Sequence, residues 1–171
     1  IDANRHSAKH TKFIVPECLQ SYSILIWIDS KSLPLLKFTK KTAVEGFQKT
    51  KRSMFLIKHP ERTTSLEELQ LTRNLYHEKI GMIMGRPLIQ RTPYENKESV
   101  DLFINKIQKI QFSTHLPDTT CFIFHNTSTT RKVLKRVYEL LLENKLQRDQ
   151  NVIQYALYLE SFESKLGYFH L

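Results

Sequence analysis

The sequence predicts an α/β domain, and three observations carry that reading. Apolar runs of strand length occur at residues 22–29, 53–59 and 119–124. The stretches between and after them carry apolar residues at helical rather than alternating spacing. The two kinds of segment follow one another in alternating order, the pattern from which layered α/β folds are built.

Residues 22–29 (YSILIWID) are almost continuously apolar and end in a carboxylate. Such a run predicts a strand buried on both faces, with Asp29 at its C-terminal edge. Leu36, Ala43, Val44 and Phe47 then form a modest apolar stripe over a helix-compatible segment, residues 36–49. The second strand, residues 53–59 (SMFLIKH), stops at Pro60. Ser65, followed three positions later by Glu68, has capping-box spacing and predicts a helix that runs to about Met84 and ends near Gly85. Residues 86–96 read as a loop because of their prolines. Val100, Phe103, Ile104, Ile107 and Ile110 make residues 99–111 amphipathic. Leu116-Pro117-Asp118 is a turn ahead of the third strand. Val133, Leu134, Val137, Leu140 and Leu141 predict a helix over 129–143, and a last helix is expected over 149–160.

A chain of 171 residues can bury one core without dividing, so a single domain over residues 1–171 is expected. With 40% hydrophobic and 25% charged residues, and only four glycines and six prolines, the chain should fold. Its longest apolar runs are too short to cross a bilayer, and no charged-then-apolar leader opens the sequence. Localisation stays open between the cytoplasm and, with an upstream anchor, the Golgi lumen. Cys18 and Cys121 show no metal-ligand spacing and are expected to be buried free thiols. The formal charge of +9 favours phosphate-bearing or polyanionic ligands without choosing among them. No Gly-x-Ser-x-Gly or Gly-Lys-Ser/Thr motif occurs, which disfavours serine hydrolase and P-loop chemistry. His6, His10, His77, His115 and His125 show no ligand spacing, and His170 near the chain end reads as incidental.

Several stretches, in order, carry a resemblance. Arg5, Ala8, Lys9 and Lys12 precede Tyr22 and Trp27-Ile28-Asp29 with Lys31. His59-Pro60-Glu61-Arg62, Glu67-Glu68, Leu116-Pro117-Asp118-Thr119-Thr120 and Arg148-Asp149-Gln150 follow. Together they resemble a family of GT-A-type glycosyltransferases of plants and bacteria, long catalogued as a domain of unknown function. The resemblance implies a GT-A-like mixed sheet flanked by helices. It also implies transfer of a sugar, in the working form a hexose, from a nucleoside-diphosphate donor to a carbohydrate acceptor. The family pattern places a strand and helix before Arg5, so the resemblance implies that part of the base and ribose pocket is missing from this chain.

By the same resemblance, Asp29 is the metal or phosphate-side carboxylate, the counterpart of an Asp-x-Asp motif whose second position is here Lys31. The donor side would be lined by Asp29, Lys31, His59, Arg62, Arg148 and Lys9. Asp149 and Glu67 are the catalytic candidates, Asp149 as a base or sugar-orienting carboxylate. A divalent Mn²⁺ or Mg²⁺ would neutralise the diphosphate leaving group. Plain structural roles stand beside these: a strand-end turn for Asp29 and His59, an N-cap for Asp149, and the helix cap for Glu68 with Glu67 favouring the same helix end. Two other functions remain open, a basic nucleic-acid-binding module and a non-catalytic, truncated transferase-like domain that binds a partner.

Overall fold

A computed structural model describes residues 3–29, 40–76, 82–83, 86–87 and 95–169. Lys31, Leu36, His77, Met84, Gly85 and His170 therefore lie outside the described residues. The architecture is α/β: a four-stranded mixed sheet with helices packed against it. The elements in order are α1 (Ala3–Phe13), β1 (Ile24–Ile28), α2 (Lys40–Gln48), β2 (Met54–Lys58), α3 (Ser65–Tyr76), β3 (Met82–Ile83), β4 (Arg86–Pro87), α4 (Lys97–Ile107), β5 (Pro117–His125), α5 (Ser128–Glu143), α6 (Ile153–Leu159) and β6 (Leu166–Phe169).

The sheet order is β1-β5-β2-β6, with β5 antiparallel to both of its neighbours and β6 parallel to β2. Strands β1, β2 and β6 thus run in one direction and β5 in the other. The strand expected to be buried on both faces is not the central one. β1 lies at the sheet edge and is half-buried throughout, whereas β5 between two partners is buried along most of its length.

One face of the sheet supplies the core. Met54, Leu56, Phe122, Phe124 and Leu166 pack there against Phe13 of α1, Val133, Val137 and Leu140 of α5, and Ala156 and Leu157 of α6. The other face is covered in part by α2, whose Phe47 ring meets Phe55 edge-on and lies 4.5 Å from the His125 ring, centroid to centroid.

Several elements depart from expectation, among them β5, which begins at Pro117 inside the expected turn. The helix starting at Ser65 is described as far as Tyr76, and Met82–Ile83 pairs with Arg86–Pro87 as a two-stranded ladder where a helix end and a loop were expected. The last expected helix is divided into a 3-10 turn, Asp149–Asn151, and α6. β6 is a strand without a long apolar run. Cys18 is exposed, while Cys121 is buried as expected.

The capping box at α3 is displaced by one residue. The Thr64 hydroxyl accepts from the Glu67 N–H, and the Glu67 carboxylate accepts from the Thr63 and Thr64 N–H groups. Ser65 is instead buried, its N–H donating to Gln154 Oε1 at 2.7 Å and its hydroxyl to the Gln150 carbonyl. Glu68 is thereby released from capping and points into the fold.

Candidate functional site

The strand directions bring the C-terminal ends of β1, β2 and β6 and the start of β5 to one edge of the sheet. Backbone bonds fix the register there: the Asp29 N–H donates to the Thr120 carbonyl and the His59 N–H to the Leu116 carbonyl, each at 2.8 Å. Leu56 faces Phe122 but Ile57 faces Asp118, so β5 bulges by residues 119–121 relative to β2. Bulges of this kind re-aim side chains next to functional edges. Here Thr119 is turned inward, and its hydroxyl donates to Asp149 Oδ2 at 2.9 Å.

Around Asp149 lies the first of two polar clusters. Lys9 Nζ is 2.9 Å from Asp149 Oδ1, and Lys12 Nζ is 2.8 Å from Oδ2. Lys12 also lies 3.5 Å from Asp29 Oδ1 and 5.9 Å from the Trp27 ring centroid. The Trp27 indole N–H donates to the same Asp29 oxygen at 2.7 Å. The side chains of Lys12 and Asp149 are only 4% and 6% exposed. Those of Lys9 and Asp29 are 25% and 27% exposed, so they form the outward rim. Burial by itself pushes the Asp149 carboxyl up. The charges of Lys12 and Lys9 and their hydrogen bonds together outweigh it and hold Asp149 well below the usual carboxylate range.

The second cluster surrounds Glu68, a buried carboxylate held by Arg62 Nε on one oxygen and by Arg148 Nη2 on the other. Of the rest of the Arg62 fork, Nη1 donates to Glu61 at 3.0 Å, while Nη2 lies 2.9 Å from His59 Nε2, the nitrogen that carries the ring proton when Nδ1 accepts. His59 Nδ1 accepts from the N–H groups of Glu61 and Arg62. Burial, then the Arg62 charge, push the His59 imidazole down, so it is neutral at pH 7.

Adjacent residues Arg148 and Asp149 join the two clusters, and Glu95 anchors that junction from within the fold. Its buried carboxylate accepts from the N–H groups of Gln147 and Arg148 and from Asn151 Nδ2. Burial pushes Glu95 up despite these donors. Because its folded pKa lies above the ordinary value, its contribution to stability is greatest below the unfolded pKa and falls as pH rises through the folded one. Glu95→Gln should therefore flatten the part of a urea-unfolding pH profile above about pH 4.3 that this group creates. An unchanged profile would remove Glu95 as its source.

Of the residues the sequence singled out, Asp29, Lys9 and Asp149 come together, as do His59, Arg62 and Arg148. Glu67 does neither: both of its oxygens are engaged at the α3 cap with Thr63 and Thr64. Asp149 opens a 3-10 turn without capping it, and its oxygens are taken by Lys9, Lys12 and Thr119. Lys12, Glu68 and Glu95 emerge as central groups. For Lys12 the sequence signal was its place in the resemblance beside Ala8 and Lys9, without a role assigned to it; for Glu95 there was none.

Among the described residues no group of three or more His, Cys, Asp and Glu side chains could hold a metal ion. Asp29 Oδ2, the one oxygen of the first cluster without a described partner, fits a cation only if other ligands come from a diphosphate and water, a familiar arrangement for Mg²⁺. Comparison with protein-family models, curated proteins and solved structures found no match.

Proposed function

We propose that this chain is a glycosyltransferase that binds a nucleoside-diphosphate sugar at the sheet edge formed by β1, β5 and β2 and transfers the sugar to a carbohydrate acceptor. The observation that carries this reading is the convergence of Lys9, Lys12 and Asp29 at the C-terminal end of β1, beside the Arg62–Glu68–Arg148 cluster. Ligands of open α/β sheets bind outside the carboxyl ends of the strands, and a diphosphate leaving group needs fixed positive charge where its own charge develops.

In this reading Lys9, the more exposed of the two lysines, meets the diphosphate. Asp149 is a positioning residue, since its oxygens hold the two ammonium groups in place. The acceptor hydroxyl attacks the sugar C1 as the C1–O bond to the diphosphate breaks. The bonding electrons leave with the diphosphate, and the hydroxyl proton passes to a base. Asp29 Oδ2 is the open carboxylate oxygen for that proton. A divalent cation brought with the donor would bind this oxygen in place of the proton and supply Lewis-acid stabilisation of the leaving group, and the hydroxyl proton would then pass to an oxygen of the departing diphosphate.

A specific observation favours a second reading, a non-catalytic transferase-like domain. The Arg62 fork is committed to Glu61 and Glu68, and both Asp149 oxygens are committed to lysines. Calorimetric titration of UDP and GDP, with and without Mn²⁺, separates the two. Nucleotide binding by the wild type, weakened about tenfold or more in Lys9→Ala and altered in its Mn²⁺ dependence in Asp29→Ala, supports the transferase. A folded wild type that binds neither nucleotide supports the second reading.

A further inference from the structure

The opposite end of the same sheet is built differently. There the connections into β1, β2 and β6 and out of β5 lie side by side, tied by backbone bonds. The Asn126 N–H donates to the Ser23 carbonyl, the His125 N–H to the Ser53 carbonyl and the Ser53 N–H to the Lys165 carbonyl. The Asn126 amide fixes the incoming chain further, donating to the carbonyls of Leu19, Gln20 and Tyr22. These bonds hold the tips in a single row along the sheet edge.

The row is basic. Lys49, Lys51, Arg52 and Lys165 are exposed along it, and Arg131 is held there by its bonds to the Asn126 carbonyl and side chain. None of these five cations makes an ion pair with a carboxylate among the described residues, whereas Lys132, Lys135 and Arg136 on the same α5 are paired with Glu160, Glu139 and Glu143. Of the acidic groups near the row, Glu160 is taken by Lys132 and Glu163 accepts from the Ser113 N–H, while Glu17 precedes β1 and Glu45 lies on α2 one helical turn before Lys49. Beside the cations two apolar side chains are exposed, Tyr22 at 60% and Leu19 at 38%.

We infer that this edge is a docking surface for an anionic phospholipid bilayer. Lysine and arginine heads gather at a negative membrane surface. A tyrosine and a leucine beside them suit the headgroup boundary, where one end of a side chain is apolar and the other wet. No helix of the described residues is long and apolar enough to cross a membrane. Because the docking edge is opposite the polar clusters at Asp149 and Glu68, a docked molecule keeps that end of the sheet facing solvent. The inference is independent of the transferase reading, since no residue is shared between the two edges.

Sedimentation with phosphatidylcholine vesicles, with and without phosphatidylserine, tests it. The wild type should bind only the phosphatidylserine vesicles, and added salt should release it. Each basic side chain near such a surface is worth about a fivefold factor in affinity, so Lys51→Ala with Arg52→Ala should weaken binding about 25-fold. Leu19→Ser with Tyr22→Ser should weaken it at every salt concentration, and Asp29→Ala should leave it unchanged. Circular dichroism checks that each variant is folded. A folded wild type that fails to bind the anionic vesicles overturns the proposal. So does a random-sequence oligonucleotide that binds more tightly than the vesicles and depends on the same Lys51 and Arg52, because the edge would then serve nucleic acid.

Discussion

Asp149→Ala should lower the unfolding free energy by roughly 3–5 kcal/mol, the usual result of removing one partner from a buried ion pair. The cost falls on what is left behind. Lys12, 4% exposed, would retain only Asp29 at 3.5 Å as its anion. Asp149→Asn should cost less, because an amide can still receive the Thr119 hydroxyl hydrogen bond that Asp149 Oδ2 receives. Urea unfolding measures both. A loss below about 1 kcal/mol in Asp149→Ala would mean that the lysines find water or other anions and that the cluster is not the buried unit described here.

The same group sets a pH dependence. Its folded pKa is depressed, so its contribution is fully present above the unfolded value, near pH 3.9, and is lost as pH falls through the folded value. Acid unfolding of the wild type should therefore include a component below about pH 4 that is missing in Asp149→Asn. This is opposite in sign to the effect of Glu95.

The second large effect separates two neighbours that look interchangeable in sequence. Glu68→Ala should cost roughly 2–4 kcal/mol, because it strands Arg62 and Arg148 around a vacated buried position. The upper end is lowered by the partial exposure of both guanidinium groups. Glu67→Ala removes only the reciprocal half of the α3 cap and should cost about 1 kcal/mol. Thermal or urea unfolding of the two variants side by side decides it. Equal losses would mean that Glu68 does not carry the cluster, and a larger loss in Glu67→Ala would return the cap to the register read from sequence.

That pair shows where sequence reasoning stops. Thr64-x-x-Glu67 and Ser65-x-x-Glu68 both have capping-box spacing, and nothing local distinguishes them. The choice is made by Gln154, 89 positions away, which takes the Ser65 N–H and returns its amide to the carbonyls of Thr63 and Thr114. β6 was illegible for a similar reason. Its Gly167 has poor strand propensity, but the Phe55 ring of β2 lies 2.6 Å from where a Cβ would sit, so the pairing needs glycine there. Lys12 gave no sign of burial, because a lysine on a short basic helix ordinarily faces solvent.

What the sequence determined by itself is the set of pieces: three apolar strands, amphipathic segments around α4 and α5, and carboxylates or a histidine at strand ends. These follow from side-chain periodicity and turn chemistry, which act within a few residues. The tertiary structure decided which strand lies at the centre, which carboxylate caps and which is buried, and that Lys9 and Lys12 meet an aspartate well over a hundred positions away. Those choices depend on burial and on the charge partners that a folded chain brings together. A buried charge is tolerated only where its partner is already in place, and no local pattern records that partner.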